Sequence, residues 1–136
     1  MLNHPTLEKL YQLRLNGMAK AFKEQMEQPE ADGLPFTDRL ALLVDREATE
    51  RESRHLKIRL RHARLQMNAC VEDIDYRSPR GLDKALMMRL AGCDWIRHHD
   101  NVLLVGPTGT GKTYLACALG QKACREGFNV VYRRAP

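Results

Sequence analysis

Eight consecutive residues, Gly106-Pro107-Thr108-Gly109-Thr110-Gly111-Lys112-Thr113, have the composition and spacing of a phosphate-binding loop. They fit the pattern G-x-x-x-x-G-K-[ST]. Gly106 and Gly111 lack a Cβ atom, so the backbone can adopt unusual angles and approach an anion closely. In such a loop the N–H groups converge on phosphate oxygens at a helix N-terminus, where the helix dipole also favours negative charge. The octet therefore predicts a nucleotide-binding site.

Two side chains of the octet carry their own chemistry. Lys112 is expected to place its ammonium near the β- and γ-phosphates. The Thr113 hydroxyl is expected to be a ligand of a Mg²⁺ ion that keeps most of its waters. The alternative is an ordinary glycine turn. A chance match of the pattern somewhere in a chain of this length is only about half a percent, so we favour the phosphate site.

The elements on either side of the octet are those that such a loop requires. Residues 101–105, Asn-Val-Leu-Leu-Val, predict a buried strand. Residues 113–125 predict a helix that stops at Gly127. Asn129-Val130-Val131-Tyr132 predicts a second strand, and strand, helix and strand together imply a right-handed crossover with parallel pairing.

The preceding hundred residues have the pattern of amphipathic helices. Apolar residues recur at three- and four-residue steps over 6–28, and a breaker-rich connector covers 28–35. A second helix is predicted to open near Thr37 or Asp38 and to continue through 45–52. Residues 71–80 predict an extended linker, followed by a short helix over 83–90.

Residues 51–64 contain six lysines and arginines and one acid. Four of the cations step by three, four and three residues, so on a helix they share one stripe; they are Arg54, Lys57, Arg61 and Arg64. Such a stripe could bind the phosphates of DNA. A solvated charged face is the other interpretation, and the residues leave both open.

Several other residues are weaker candidates for chemistry. Asp45 ends an apolar run that resembles a Mg²⁺-binding strand, but it precedes the phosphate loop and its surroundings are helical, so we reject that role. His98-His99 has no further ligands nearby in the sequence, and Trp95 is interpreted as a packing residue. Cys117 and Cys124 lie seven residues apart on one helix face, which indicates core packing in a reduced setting.

Composition sets limits on the class of protein. The chain has a net charge of +5, with positive charge concentrated in 51–64 and 77–136, which makes an anionic partner beyond the nucleotide plausible. No run approaches 18 apolar residues, and the start lacks the charged and apolar regions of a signal peptide. We therefore expect a cytoplasmic protein without a membrane partner.

Three blocks of the sequence resemble the IstB-like family, the ATP-binding helper proteins of a class of bacterial insertion sequences. They are Arg77-Ser78-Pro79-Arg80-Gly81-Leu82-Asp83, Cys93-Asp94-Trp95-Ile96-Arg97, and the stretch from Gly106 through Leu115-Ala116-Cys117-Ala118-Leu119-Gly120 to Gly127. The resemblance implies an N-terminal helical domain and an AAA+ ATPase domain that binds ATP. It also implies assembly on DNA in the presence of ATP and action with a partner transposase. Of the family's functional residues, only the phosphate loop carries over residue by residue.

The resulting fold prediction is α/β, an N-terminal helical domain followed by an incomplete P-loop, AAA+-like domain with a parallel sheet. Its predicted parts are helical residues 1–70, a linker and short helix over 71–98, and the start of the ATPase domain over 99–136. The sequence contains no candidate for the acidic strand, the water-positioning residue or the arginine finger, so no catalytic residue is assigned and hydrolysis is doubtful. Homo-oligomers are expected only of a full-length form.

Two hypotheses remain open. The chain could be the N-terminal portion of an ATP-dependent transposition helper, with Asp73 to Arg77 lining the adenine. It could instead be a non-enzymatic module whose helical part binds DNA or a partner while the half-built ATPase domain is inert. A small-molecule kinase is disfavoured, because in kinases the phosphate loop usually lies near the start of the chain and not about 100 residues into it.

Overall fold

The structure, a computed structural model, describes residues 4–136, which contain six α-helices. They form two compact units, residues 4–55 and 56–136, which divide inside the third helix. The predicted domains divide after residue 70 and stay a prediction. In chain order the helices are α1 (Pro5–Gln12), α2 (Asn16–Glu27), α3 (Phe36–Ala63), α4 (Lys84–Ala91), α5 (Asp94–Arg97) and α6 (Lys112–Arg125).

In the first unit, the single helix predicted over 6–28 is two helices. The chain leaves α1 after Gln12, passes through Arg14 with a φ of 60°, and re-enters a helix at Asn16. The contact that fixes this break is the approach of Gly17 to α3, where a Cβ atom would lie 2.8 Å from the carbonyl oxygen of Arg46. The break is therefore set by packing between helices, which outweighs the local helical pattern.

A buried carboxylate holds the start of α2. Its N-cap residue, Leu15, makes no side-chain cap. Glu47 of α3 acts instead: its Oε1 accepts hydrogen bonds from the N–H groups of Gly17 at 2.9 Å and Met18 at 3.3 Å. Its Oε2 accepts from Arg51 Nε at 2.7 Å. Glu47 is thus a helix cap supplied by a neighbouring helix.

In the second unit, α6 lies at the centre of the core. Four of its buried residues, Leu115, Cys117, Ala118 and Leu119, form one cluster with Ala69 and Ile74 from the segment after α3 and with Met87 from α4. Cys117 and Cys124 are completely buried, which confirms the prediction of core packing. Burial also raises the pKa of the Cys124 thiol. The buried residues of α6 are Leu115, Cys117, Ala118, Leu119, Ala123 and Cys124.

The predicted parallel sheet is wrong: residues 4–136 contain no β-strand. Residues 101–105 lie outside regular secondary structure, with Leu103 at 86% and Val105 at 91% exposure. The segment after α6 bonds to a helix end instead, since Tyr132 N–H donates to the carbonyl of Ala63 at 2.7 Å. The physical reason is that two parallel strands with one helix bury too little surface to pair stably, however β-like their composition.

Two further predictions, one of a helix and one of a packing residue, agree with the structure. The helix predicted over 83–90 is α4, and Asp83 caps it by accepting from the N–H groups of Ala85 and Leu86. Trp95 donates from Nε1 to the carbonyl of Leu90 at 2.9 Å, in agreement with a packing role. No helix in the part of the chain that the structure describes is both long enough and apolar enough to cross a membrane.

Candidate nucleotide-binding site

Residues 101–107 have no regular secondary structure, and the chain passes from them through a turn into α6, which begins at Lys112. Gly109 and Gly111 have φ values of 85° and 86°, in the left-handed region where a side chain is disfavoured. These two positions need glycine for backbone geometry. The loop therefore bends sharply just before the helix, so the helix that the motif requires is present, whereas residues 101–105 do not form the expected strand.

The loop is closed by its own side chains. Thr110 donates from its hydroxyl to the carbonyl of Pro107 at 2.7 Å, and Lys112 donates from Nζ to the carbonyl of Gly106. The ammonium of Lys112 thus lies back over the loop rather than extending into solvent. At the end of the loop, Gly111 is the N-cap of α6 and supplies no side-chain hydrogen bond. The N-terminal N–H groups of α6 are therefore not capped by that residue, so an anion could take the place of a cap.

Arg80 reaches the loop from a turn thirty residues earlier in the chain. Its Nη1 donates to the carbonyl of Thr110 at 2.9 Å, and its Nη2 donates to the carbonyl of Asp75 at 2.7 Å. A Cβ atom added to Gly111 would lie 2.6 Å from Nη1. Arg80 Nε is shielded from solvent and has no acceptor among the described residues. The guanidinium is therefore packed directly against the last turn of the loop.

The turn that carries Arg80 is held by a carboxylate. Asp75 accepts from the N–H of Arg77 at 2.8 Å and from the Ser78 hydroxyl at 3.1 Å. These bonds lower the pKa of Asp75, first through the Arg77 N–H and then through Ser78, and the charge of Arg80 adds to them. The turn closes with a bond from Arg80 N–H to the carbonyl of Ser78 and with Gly81 at a φ of 70°.

A cleft of about 410 Å³ lies beside this turn, within the second unit. Tyr76 forms one wall, with the ammonium of Lys84 5.5 Å from its ring centroid. Of the range predicted to line adenine, Asp73 to Arg77, only Ile74 and Tyr76 reach the cleft, while Asp75 and Arg77 are exposed. Its lining residues are Val71, Glu72, Ile74, Tyr76, Lys84, Met87, Met88 and Ala91.

The metal prediction rests on Thr113, which is exposed near the start of α6. Within residues 4–136 no group of three or more His, Cys, Asp or Glu side chains could hold a metal ion by itself, His98 and His99 included. An exposed hydroxyl beside a phosphate loop fits Mg²⁺ brought in by a nucleotide, because such an ion takes its other ligands from phosphates and water.

The four cations predicted to contact DNA are all exposed, and none makes an ion pair among the described residues. Arg54 lies on the part of α3 in the first unit, and Lys57 and Arg61 lie on its part in the second. Arg64 differs from the prediction, because α3 ends at Ala63 and Arg64 has a φ of 52°. It therefore does not continue the helical stripe.

The family assignment follows from comparison with known proteins. The family described as IstB-like ATP binding protein matches residues 8–136, which include the whole phosphate loop. The chain belongs to this family. The IstB-like resemblance that the sequence blocks indicated is thereby confirmed.

Individual relatives agree with the family match. A protein of Sinorhizobium fredii that carries the provisional name of insertion sequence ATP-binding protein is 53% identical over this whole chain, which covers 56% of that protein. A provisionally named ATP-binding protein of insertion sequence IS1162 from Pseudomonas fluorescens is 48% identical, with 59% of its length covered. One of insertion sequence IS21 from Pseudomonas aeruginosa is 32% identical over 90% of this chain and 46% of its own. This IstB-like chain thus spans about half the length of the curated relatives it matches.

Two residues of this IstB-like chain were missed by sequence reasoning. In the sequence, Arg80 stands out only as one residue of a block that resembles the family. Its contact with Thr110 spans thirty residues, and no local pattern reveals such a contact. Arg59 was counted among the cations of 51–64, yet it donates from Nε to the carbonyl of Cys124 at 2.8 Å, at the C-terminal end of α6. Arg59 is two residues from both Lys57 and Arg61, so on a helix it lies off their stripe. That spacing is the sequence signal that Arg59 has a different role.

Proposed function

We propose that this chain binds ATP through Gly106–Thr113 and does so as part of a helper protein of DNA transposition. The observation that carries the proposal is the loop itself: left-handed glycines, a folded-back lysine and a glycine N-cap at the start of a 14-residue helix. The names of the relatives, ATP-binding proteins of insertion sequences, support the choice of nucleotide and of biological context.

Each part of the loop has a task in this proposal. The N–H groups of Gly109, Gly111 and the first turn of α6 donate to the phosphates. Lys112 releases the carbonyl of Gly106 and moves its ammonium to the β- and γ-phosphates. The Thr113 hydroxyl is one ligand of Mg²⁺, which, when bound, neutralises charge between those phosphates. The cleft beside Tyr76 is a candidate for the adenine, because an aromatic wall and apolar side chains suit a planar base.

The proposed macromolecular partners are DNA and a transposase. DNA contact is assigned to Arg54, Lys57, Arg61 and Arg64, since exposed cations that make no ion pair in the described part of the chain are available for phosphates. Assembly into a homo-oligomer is proposed only for the longer protein. Because no group in this chain is assigned to activate water, binding without hydrolysis is the second candidate function. A measurement of phosphate release with and without DNA separates the two.

The decisive experiment replaces the loop lysine. We expect Lys112→Ala to weaken ATP binding about 10- to 100-fold in titration calorimetry, because it removes a charge-assisted bond to the phosphates. Lys122→Ala is the matched control, since it removes the same charge from the opposite end of α6, where Lys122 pairs with Glu126. Equal ATP affinities for Lys112→Ala, Lys122→Ala and the unsubstituted chain would refute the nucleotide-binding proposal.

A further inference from the structure

We propose that Arg80 is a positioning residue that sets the direction of the Thr110–Gly111 peptide group in the phosphate loop. This inference rests on the proposed binding of ATP at that loop. It adds a residue outside the octet and gives it a physical task. The contacts that motivate it are the two bonds of the guanidinium, to the carbonyls of Thr110 and Asp75.

The bond from Arg80 to the Thr110 carbonyl fixes the direction of one peptide group. In a trans peptide the C=O and N–H bonds point in opposite directions, and all peptide bonds in the described residues are of this kind. Because Arg80 holds the Thr110 oxygen at 2.9 Å, the N–H of Gly111 must point away from the guanidinium. A glycine at this position has no side chain to oppose a flip, so an outside group has to fix the peptide.

Arg80 is itself held by two hydrogen bonds. A planar guanidinium presents its donors in a fixed fork, so two bonds determine its orientation as well as its place. One of those bonds goes to Asp75, whose carboxylate closes its own turn through Arg77 N–H and Ser78. The anchor is therefore a turn closed by its own hydrogen bonds, and Arg80 links that turn to Thr110.

Arg80 also brings a guanidinium cation next to the loop, at the carbonyl of Thr110. Its Nη1 is so close to Gly111 that a Cβ atom there would be only 2.6 Å away. A cation hydrogen-bonded to the Thr110 oxygen polarises the peptide group. The Gly111 N–H therefore becomes a better donor. The direction of the Gly111 N–H and its greater strength as a donor thus both favour an anion on the side of the peptide group opposite Arg80.

The test measures the affinity for ATP and the NMR signal of the Gly111 amide group. We expect Arg80→Ala to weaken ATP binding about tenfold in titration calorimetry. In glycine-labelled protein, ATP should shift the Gly111 amide proton downfield in the unsubstituted chain and much less in Arg80→Ala. Arg77→Ala is the matched control: it removes the same charge from the same turn, and its bond to Asp75 comes from the backbone. That variant should keep both affinity and shift.

The conservative variant separates positioning from folding. Arg80→Lys keeps the charge but not the fork, so we expect intermediate affinity and a partly recovered Gly111 shift. If Arg80→Ala does not fold, judged by the dispersion of its amide spectrum, Arg80→Lys carries the same comparison. An Arg80→Lys protein with an unaltered affinity and Gly111 shift would then overturn the inference.

The outcomes also separate this inference from the proposed function. If ATP binds, Lys112→Ala loses affinity, and Arg80→Ala behaves as Arg77→Ala does, the positioning role is wrong and the proposed function stands. If ATP does not bind the unsubstituted chain, or if Lys112→Ala is without effect, the proposed function fails and the inference falls with it.

Discussion

At the scale of single residues, Glu47 shows how a buried acid can be kept charged. Burial by itself raises its pKa, but the bonds from Arg51 and from the N–H groups of Met18 and Gly17 outweigh that effect, so the pKa is lowered overall. The side chain is only 8% exposed. A neutral Glu47 would leave the cation of Arg51 and two helix N–H groups less well satisfied, and the folded unit therefore favours the ionised form.

This linkage gives a prediction about pH. Because the folded pKa of Glu47 is depressed, its contribution to stability is present above about 4.3, the ordinary value of a glutamate, and is lost as the pH falls through the folded pKa. We expect Glu47→Gln to destabilise the chain by about 1–3 kcal/mol at pH 7 in urea unfolding. The difference from the unsubstituted chain should shrink at pH 3.

The control for this prediction is Glu52→Gln. Glu52 is exposed on the same helix and makes no ion pair within residues 4–136. It should change stability by less than about 0.5 kcal/mol at either pH. A Glu47→Gln difference that stays constant from pH 7 to pH 3 would show that ionisation of Glu47 is not what stabilises the unit.

At the scale of elements, the contact of α2 with α3 depends on the absence of a side chain at Gly17. The hypothetical Cβ atom lies 2.8 Å from both the Arg46 oxygen and the Glu47 Cα. Both are backbone atoms, which cannot rotate away as the end of a long side chain can. This packing also explains why a helical pattern that runs unbroken over 6–28 is interrupted in the fold.

The packing gives a prediction in which two effects oppose each other. Alanine is the better helix former by about 1 kcal/mol, so propensity alone says that Gly17→Ala stabilises α2. Overpacking against backbone costs about 1–3 kcal/mol, and it should also lengthen the bonds to Glu47. We expect a net loss of about 1–2 kcal/mol, measured by thermal or urea unfolding.

Gly33→Ala is the matched control in the same unit. A Cβ atom at Gly33 would meet nothing within 4 Å, and its φ is not in the left-handed region. The substitution should be neutral or stabilising by up to about 1 kcal/mol. If Gly17→Ala proved as stable as Gly33→Ala, the close approach of α2 to α3 would not be a tight one in solution.

At the scale of the whole molecule, the sequence predicts some parts of the fold and not others for physical reasons. The glycine turn before α6 and the positions of α6 and α4 were predictable, because the residues that form them interact within a few positions of one another. The sheet was not, since pairing depends on strands that must meet across the fold rather than on β-branched composition. Arg80 and Glu47 act on residues about thirty positions away, so no local pattern could assign their roles.

The charge of the whole molecule gives the last prediction. The chain carries a net +5, and Arg61 is one of its exposed cations without an acidic partner in the described residues. If it touches a DNA phosphate, Arg61→Ala should reduce the slope of log K against log salt concentration by about one unit. Fluorescence anisotropy with a labelled duplex measures this slope over a range of salt.

Arg89→Ala serves as the charge-matched control, because Arg89 is an exposed cation on α4 rather than α3. It should lower affinity slightly through net charge and leave the slope nearly unchanged. An identical slope for Arg61→Ala and the unsubstituted chain would remove Arg61 from the DNA interface, and a shared reduction would indicate a general charge effect.

The clash between a Cβ atom at position 111 and the guanidinium of Arg80 has an evolutionary consequence. Because the clashing atom is the end of a flexible side chain, Arg80 could move aside for a side chain at 111, but it would then give up its bond to the Thr110 carbonyl. Any homologue that loses the arginine is relieved of one steric reason for the glycine but not of the left-handed φ of 86°. Homologues should therefore keep the glycine whether or not they keep the arginine, because the backbone angle by itself disfavours a side chain at 111.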